Sequence, residues 1–259
     1  DGTKIAFVRS HIDEKTKEYR SNIWVVPVGG GEPRQFTYGP KSDTTPRWSP
    51  DGTKLAFVSD RGNGRQIYVM SLSGGEAMQV TKMRYGASNP VWSPDGRKIA
   101  FTASIDLEDK PEDYEKPLDA KQREEMEKKR REEPTLVTRL RVKADAAMGL
   151  INATRRNHIF VIDVEGNSPA VHLTPGPWDS SSPAWSPCGK YIAFSSNRMP
   201  DPDYQPWFTD IWVVSAEGGE PRKLTTSEGP CGEPRWTHDG KFIIYGGHKM
   251  EHGGPTFSR

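Results

Sequence analysis

Four arginines in the middle of this 259-residue chain have the chemistry of a carboxylate grip: Arg139, Arg141, Arg155 and Arg156. A guanidinium is a planar fork that can take both oxygens of a carboxylate at once, so a cluster reads as a site for an anionic ligand or terminus. The segment 135–142 alternates in polarity like a strand, which puts Arg139 and Arg141 on one side. Just upstream, Glu124, Glu125, Glu127, Glu132 and Glu133 offer a competing partner, and the sequence leaves ligand binding and internal pairing both open. His248 and His252 have the i, i+4 spacing of a helical metal pair, but Gly246, Gly247, Gly253 and Gly254 argue against a helix there, so no metal is implied. No cofactor motif occurs. No Gly-x-Ser-x-Gly nucleophile elbow occurs either, so catalysis cannot be assigned to this stretch of chain.

The elements that must position these residues are repeats. Pro46-Arg47-Trp48-Ser49-Pro50-Asp51-Gly52 recurs as Pro90–Gly96, as Pro183–Gly189 and, with Thr-His for Ser-Pro, as Pro234–Gly240. Each copy is followed by an apolar strand such as Lys54-Leu55-Ala56-Phe57, and the chain opens on such a strand at Lys4-Ile5-Ala6-Phe7. Proline cannot donate to a ladder and Asp-Gly supplies the positive φ of a tight turn, so each copy reads as a hairpin. A second hairpin follows, Ile23-Trp24-Val25-Val26 before Gly-Gly-Glu and Gln35-Phe36-Thr37, with later copies at Ile67, Ile159 and Ile211. Each unit is thus a four-stranded antiparallel meander, with strands a, b, c and d.

The anchor tryptophans Trp48, Trp92, Trp185 and Trp236 stand 44, 93 and 51 residues apart. That period identifies an all-β propeller, one four-stranded blade per repeat. The long step reads as one blade carrying an insertion over 105–157, because it contains no second Trp-Ser-Pro-Asp-Gly phrase. The expected division is a single propeller region over 1–259: a partial blade 1–37, blades 45–81, 89–174 and 183–225, and a partial blade 234–259. The tryptophans are expected to be core rather than ligand-binding. Long connections are expected only between b and c, at Ser10–Ser21, Ser104–Asn157 and Asn197–Thr209, which places all the irregular sequence on one face. Within the insertion, the mixed-charge run 124–133 has the composition of a solvated helix.

Net charge of +1 gives no reason to expect nucleic acid or an anionic membrane as partner, and no apolar run is long enough to span a bilayer. The two cysteines, Cys188 and Cys231, read as free thiols in a reducing compartment, which points to the cytoplasm.

The paired phrases Trp-Ser-Pro-Asp-Gly-x-Lys-Ile-Ala-Phe and Ile-Trp-Val-Val…Gly-Gly-Glu-Pro-Arg-x-Leu-Thr resemble the propeller repeats of two families, the prolyl oligopeptidase (S9) serine peptidases and the TolB-like periplasmic proteins. Leu136–Asp145 and Arg155–Val164 resemble the acylaminoacyl-peptidase branch of the former. The resemblance implies a propeller seated over an α/β-hydrolase domain of the same polypeptide, restricting access to a Ser-Asp-His triad. It also implies short peptide substrates and, in some members, arginines that grip a substrate terminus. The sequence departs from that pattern in having no hydrolase domain, so this chain alone is expected to be inactive, with catalysis supplied from beyond Arg259. His252-Gly253-Gly254-Pro255 imitates an oxyanion loop of such hydrolases but follows no apolar strand. A TolB-like binding module without catalysis is the alternative, and self-association is left open.

Overall fold

The computed structural model describes residues 2–14, 16–39, 41–62, 64–132, 154–165, 168–200, 202–226 and 229–249. Blade one has three strands: β1 (Lys4–Ile12), β2 (Tyr19–Pro27) and β3 (Arg34–Gln35). Blade two is β4 (Asp43–Trp48), β5 (Lys54–Gly62), β6 (Gly64–Ser71) and β7 (Met78–Gln79). Blade three is β8 (Ala87–Trp92), β9 (Lys98–Asp106), β10 (Arg155–Asp163) and β11 (Val171–His172). Blade four is β12 (Ser180–Trp185), β13 (Tyr191–Ser196), β14 (Asp210–Ser215) and β15 (Arg222–Lys223); β16 (Cys231–Trp236) and β17 (Ile243–Gly247) follow as a two-stranded sheet. Among the described residues, strands pair only with chain neighbours inside each sheet, all antiparallel, and those between Trp92 and Trp185 form a single sheet. The five sheets do not close a ring among the described residues.

Each repeated residue has a structural task. Ser49 Oγ donates to Asp51 Oδ1 at 2.6 Å and accepts the Lys54 N–H at 2.9 Å, which locks the a–b turn; Gly52 provides its φ of +70°. The tryptophans tie one blade to the next. The indole N–H groups of Trp92, Trp185 and Trp236 donate to the carbonyls of Arg47, Val91 and Ala184, the residue before tryptophan in the preceding blade, at 3.0–3.1 Å. The closing threonine of each unit accepts the N–H of the c-strand isoleucine: Thr37 from Ile23, Thr81 from Ile67, Thr174 from Ile159 and Thr225 from Ile211. Phe57, Phe101, Phe160 and Phe194 fill the space between sheets and are fully buried.

Two boundaries differ from the sequence reading. The a strands begin two or three residues earlier, at Asp43, Ala87 and Ser180, because a β-bulge carries each one past its proline. Thr45, Asn89, Ser182 and Glu233 sit at that bulge with φ between +52° and +54°, a left-handed conformation costly for side chains other than glycine. The Ser10–Ser21 connection is mostly ladder: Ser10 pairs with Ser21, His11 with Arg20 and Ile12 with Tyr19, leaving a loop of 13–18. The two serine hydroxyls meet across the strands at 2.8 Å, so polar side chains there face each other and the pairing runs on.

The insertion leaves blade three after Asp106. Helix α1 (Ala120–Glu132) occupies the mixed-charge run, and Asp119 caps it: its carboxylate accepts the Gln122 N–H at 2.7 Å while Gln122 Oε1 accepts the Asp119 N–H. The helix reaches back to blade two, where the Arg123 guanidinium lies so close to Gly64 that a β-carbon there would stand 2.8 Å from it. Arg139 and Arg141 lie outside the described residues, as do His252 and the Gly253-Gly254-Pro255 phrase.

Candidate functional site

The b–c loops and the d-to-a connections emerge at the same end of the blades, and there a cleft of about 210 Å³ opens between blades three and four. Its walls come from the start of β10 (Arg156), the connection Pro177-Trp178-Asp179, the end of β13 (Ser195, Ser196) and the 197–209 loop.

Arg155 and Arg156 are neighbours on a strand, so they leave β10 on opposite faces. Arg156 is buried in the cleft wall; its Nε donates to the Pro177 carbonyl at 2.8 Å and Nη1 to the Arg155 carbonyl at 2.6 Å. Those bonds fix the connection into blade four, which Asp179 also anchors by accepting the Asn157 N–H at 2.8 Å. Arg155 points the other way. Its guanidinium carbon lies 4.0 Å from the centre of the Tyr85 ring and Nη2 lies 3.6 Å from Met126 Sδ of α1. A cation on an aromatic face contributes about 0.5–2 kcal/mol depending on desolvation. Beside it, burial pushes the Tyr85 phenol up, and Arg84 pairs with Asp109 at 3.3 Å. Arg155 therefore fastens the insertion to the junction of blades two and three, and the two adjacent arginines do not share one site.

Two groups at this end of the blades escaped the sequence reading. Arg198 lies over three aromatic rings, with its guanidinium carbon 4.8 Å from Trp212, 5.1 Å from Trp178 and 5.5 Å from Phe194. Burial pushes its guanidinium down, with the Glu220 carboxylate acting the other way. The signal was the repeated Ser59-Asp60-Arg61 and Ser196-Asn197-Arg198 at the ends of equivalent b strands. The second group is a histidine pair: His158 Nδ1 and His172 Nε2 are 2.7 Å apart, the rings stack at 4.9 Å, and Tyr114 of the insertion packs edge-on against His172. Burial holds both imidazoles at a pKa of about 4, and the positive charges of Arg198 and Arg156 add to this at His158. Blade two puts Gln66 and Gln79 at the corresponding c and d positions, so the pair belongs to a polar position repeated in each blade. Cys188 and Cys231 are both free thiols. No helix among the described residues is long and apolar enough to cross a membrane.

Sheets of four antiparallel strands, tied tryptophan to carbonyl from one to the next, define the class: a β-propeller of up-and-down blades. Residues 1–135 match the family described as the TolB beta propeller domain, and residues 122–249 match the N-terminal region of dipeptidyl peptidase IV. The Bacillus subtilis (strain 168) protein named "Uncharacterized peptidase YuxL" is 35% identical over 198 residues, 76% of this chain and 28% of that protein. Pyrococcus horikoshii acylaminoacyl peptidase superposes with a TM-score of 0.61 at 21% identity, covering 86% of this chain and 31% of that one. TolB from Acinetobacter baumannii superposes at 0.56 with 19% identity, covering 94% and 46%. The chain belongs to the TolB-type β-propeller family, and its propeller is of the kind carried by prolyl oligopeptidase (S9) peptidases. It spans less than a third of the length of the curated peptidase it matches.

Proposed function

We propose that this propeller gates and selects substrate for a serine oligopeptidase that cleaves short peptides, acylaminoacyl- or dipeptidyl-peptidase-like, through an α/β-hydrolase domain of the same polypeptide. The observation that carries this reading is the match over 198 residues to a protein named as a peptidase, most of which lies outside the matched segment. The placement of insertion, loops and cleft at one end of the blades supports it, since a rigid scaffold commonly carries function on its variable loops. In this reading Arg156, with Arg139 and Arg141 from the insertion, presents positive charge toward a substrate terminus, and Arg155 holds the insertion in place. The two free thiols support a cytoplasmic setting.

The test uses the full-length protein. It should hydrolyse short N-acylated peptides and lose that activity on stoichiometric labelling by a serine-directed organophosphate, whereas residues 1–259 alone should show no turnover. A full-length protein that neither labels nor hydrolyses would favour the second reading, a binding module like TolB, which the family match over residues 1–135 supports.

A further inference from the structure

One position recurs in the three complete blades and is filled in three ways. In blade two, Asp43 opens strand a opposite Ser59, and its fully buried carboxylate accepts from Arg61 Nη2 at 2.8 and 2.7 Å. Arg61 is braced by Ser59 Oγ at 2.9 Å and by the rings of Phe57 and Tyr68 at 5.2 and 5.3 Å. In blade three the corresponding residues are Ala87 and Ile105, both buried and apolar. Blade four keeps the cation and loses the anion. Ser180 pairs with Ser196 in the register that Asp43 has with Ser59. Arg198 stands where Arg61 stands, Nε 3.4 Å from Ser196 Oγ and its fork over Phe194 and Trp212, the counterparts of Phe57 and Tyr68, with Trp178 added.

Two polar atoms there have no hydrogen-bond partner among the described residues: Arg198 Nη2 and Ser180 Oγ, both buried. Ser180 is 1% exposed. A buried guanidinium with an unused N–H is costly unless something accepts it. Replacing aspartate by serine removes a carboxylate and leaves one hydroxyl donor facing the same fork. Ser196, whose hydroxyl contacts Arg198, and Trp178, whose ring Arg198 covers, also line the cleft, so the position lies against the cleft wall.

We propose that blade four binds the carboxylate of a ligand in this slot, with Arg198 taking the role toward it that Arg61 plays toward Asp43, and the Ser180 hydroxyl donating alongside. Blade two is the internal template, since its own side chain already occupies the equivalent place. Asp179 and Asp203 on the cleft wall oppose the charges of Arg156 and Arg198, which favours a singly charged carboxylate over phosphate-like dianions. The slot is distinct from the Arg155 and Arg156 contacts and does not depend on the peptidase reading.

Binding is read without turnover, on the full-length protein, with acetate as probe and acetamide as its uncharged counterpart. Acetate should raise the melting temperature saturably by several degrees and acetamide should not. Ser180→Asp restores the blade-two arrangement, so it should raise the melting temperature without ligand and abolish the acetate response. Arg198→Gln should weaken acetate by about tenfold or more. An acetate response that survives in Ser180→Asp would overturn the proposal, as would a Ser180→Asp protein less stable than the parent. No saturable response in the unmodified protein would overturn it too.

Discussion

Blades two and four each place an arginine two residues past the same serine of strand b and treat it in opposite ways. Arg61 is consumed by the scaffold: a buried aspartate, a serine and two rings hold it. Arg198 is held by rings and a serine, and its Nη2 has no hydrogen-bond partner among the described residues. A repeated architecture makes such a difference legible, because Ser180 pairs with Ser196 in the register that Asp43 has with Ser59, and the aspartate is what blade four lacks. In the first case the charge pair is a fastener. In the second, the same posture is kept while the partner is withdrawn, against the wall of a cleft on the elaborated face.

The largest expected effect comes from turning blade two into an unfilled copy of blade four. Asp43→Ala leaves Arg61 without its carboxylate, and since the aspartate is fully buried the loss should reach about 3–4 kcal/mol in urea denaturation. A loss below about 1 kcal/mol would mean that the pair behaves as a surface salt bridge and is a poor template for the slot.

Blade three sharpens the comparison by a different route, because its polar c–d position holds two histidines where blade two has glutamines. Both imidazoles are kept neutral in the folded protein, with a pKa of about 4. The unfolded chain titrates at roughly 6.5, so below that pH it takes up protons that the folded form refuses. Stability should therefore be complete above about pH 6.5 and fall by roughly 2–3 kcal/mol for each of the two histidines as pH drops toward 4. In His158→Gln/His172→Gln, which copies blade two, that part of the slope should vanish. An unchanged slope would assign the acid sensitivity to other groups.

The smallest effect concerns the turn. Blade four again lacks an aspartate that blade two has: Cys188 replaces Asp51, and Ser186 Oγ meets a sulfur at 3.4 Å where Ser49 meets an oxygen at 2.6 Å. Cys188→Asp should add about 0.5–1 kcal/mol by replacing a weak acceptor with a charged one. A destabilised variant would show that the turns are not interchangeable between blades.

Most of the fold was legible because its determinants are local. Trp-Ser-Pro-Asp-Gly fixes a hairpin within seven residues, and the tryptophan spacing counts the blades. The bulge before Pro46 and its counterparts was hidden because proline reads as the start of a strand, whereas here a residue at positive φ lets the ladder pass it. The long β1–β2 hairpin was missed because Arg9-Ser10-His11 and Tyr19-Arg20-Ser21 are polar, and their pairing depends on facing each other. The site was harder to read. Arg155 and Arg156 drew notice as a charged pair, yet strand alternation sends them to different blades' edges. Arg198 is a lone arginine in a loop, and its meaning appears only once Ser180 is aligned with Asp43 across 137 positions of chain. His158 and His172 are fourteen residues apart and meet only through the c–d ladder.

The propeller's proposed role as a filter for a peptidase is open to one direct measurement. In the full-length protein, kcat/KM should be determined for a series of N-acylated peptides of increasing length, ending with an unfolded protein of the same cleavage sequence. Activity confined to the short members, falling away once the substrate exceeds what can enter past the propeller, is the predicted result. Equal hydrolysis of the unfolded protein and the short peptides, or none of either, would contradict it.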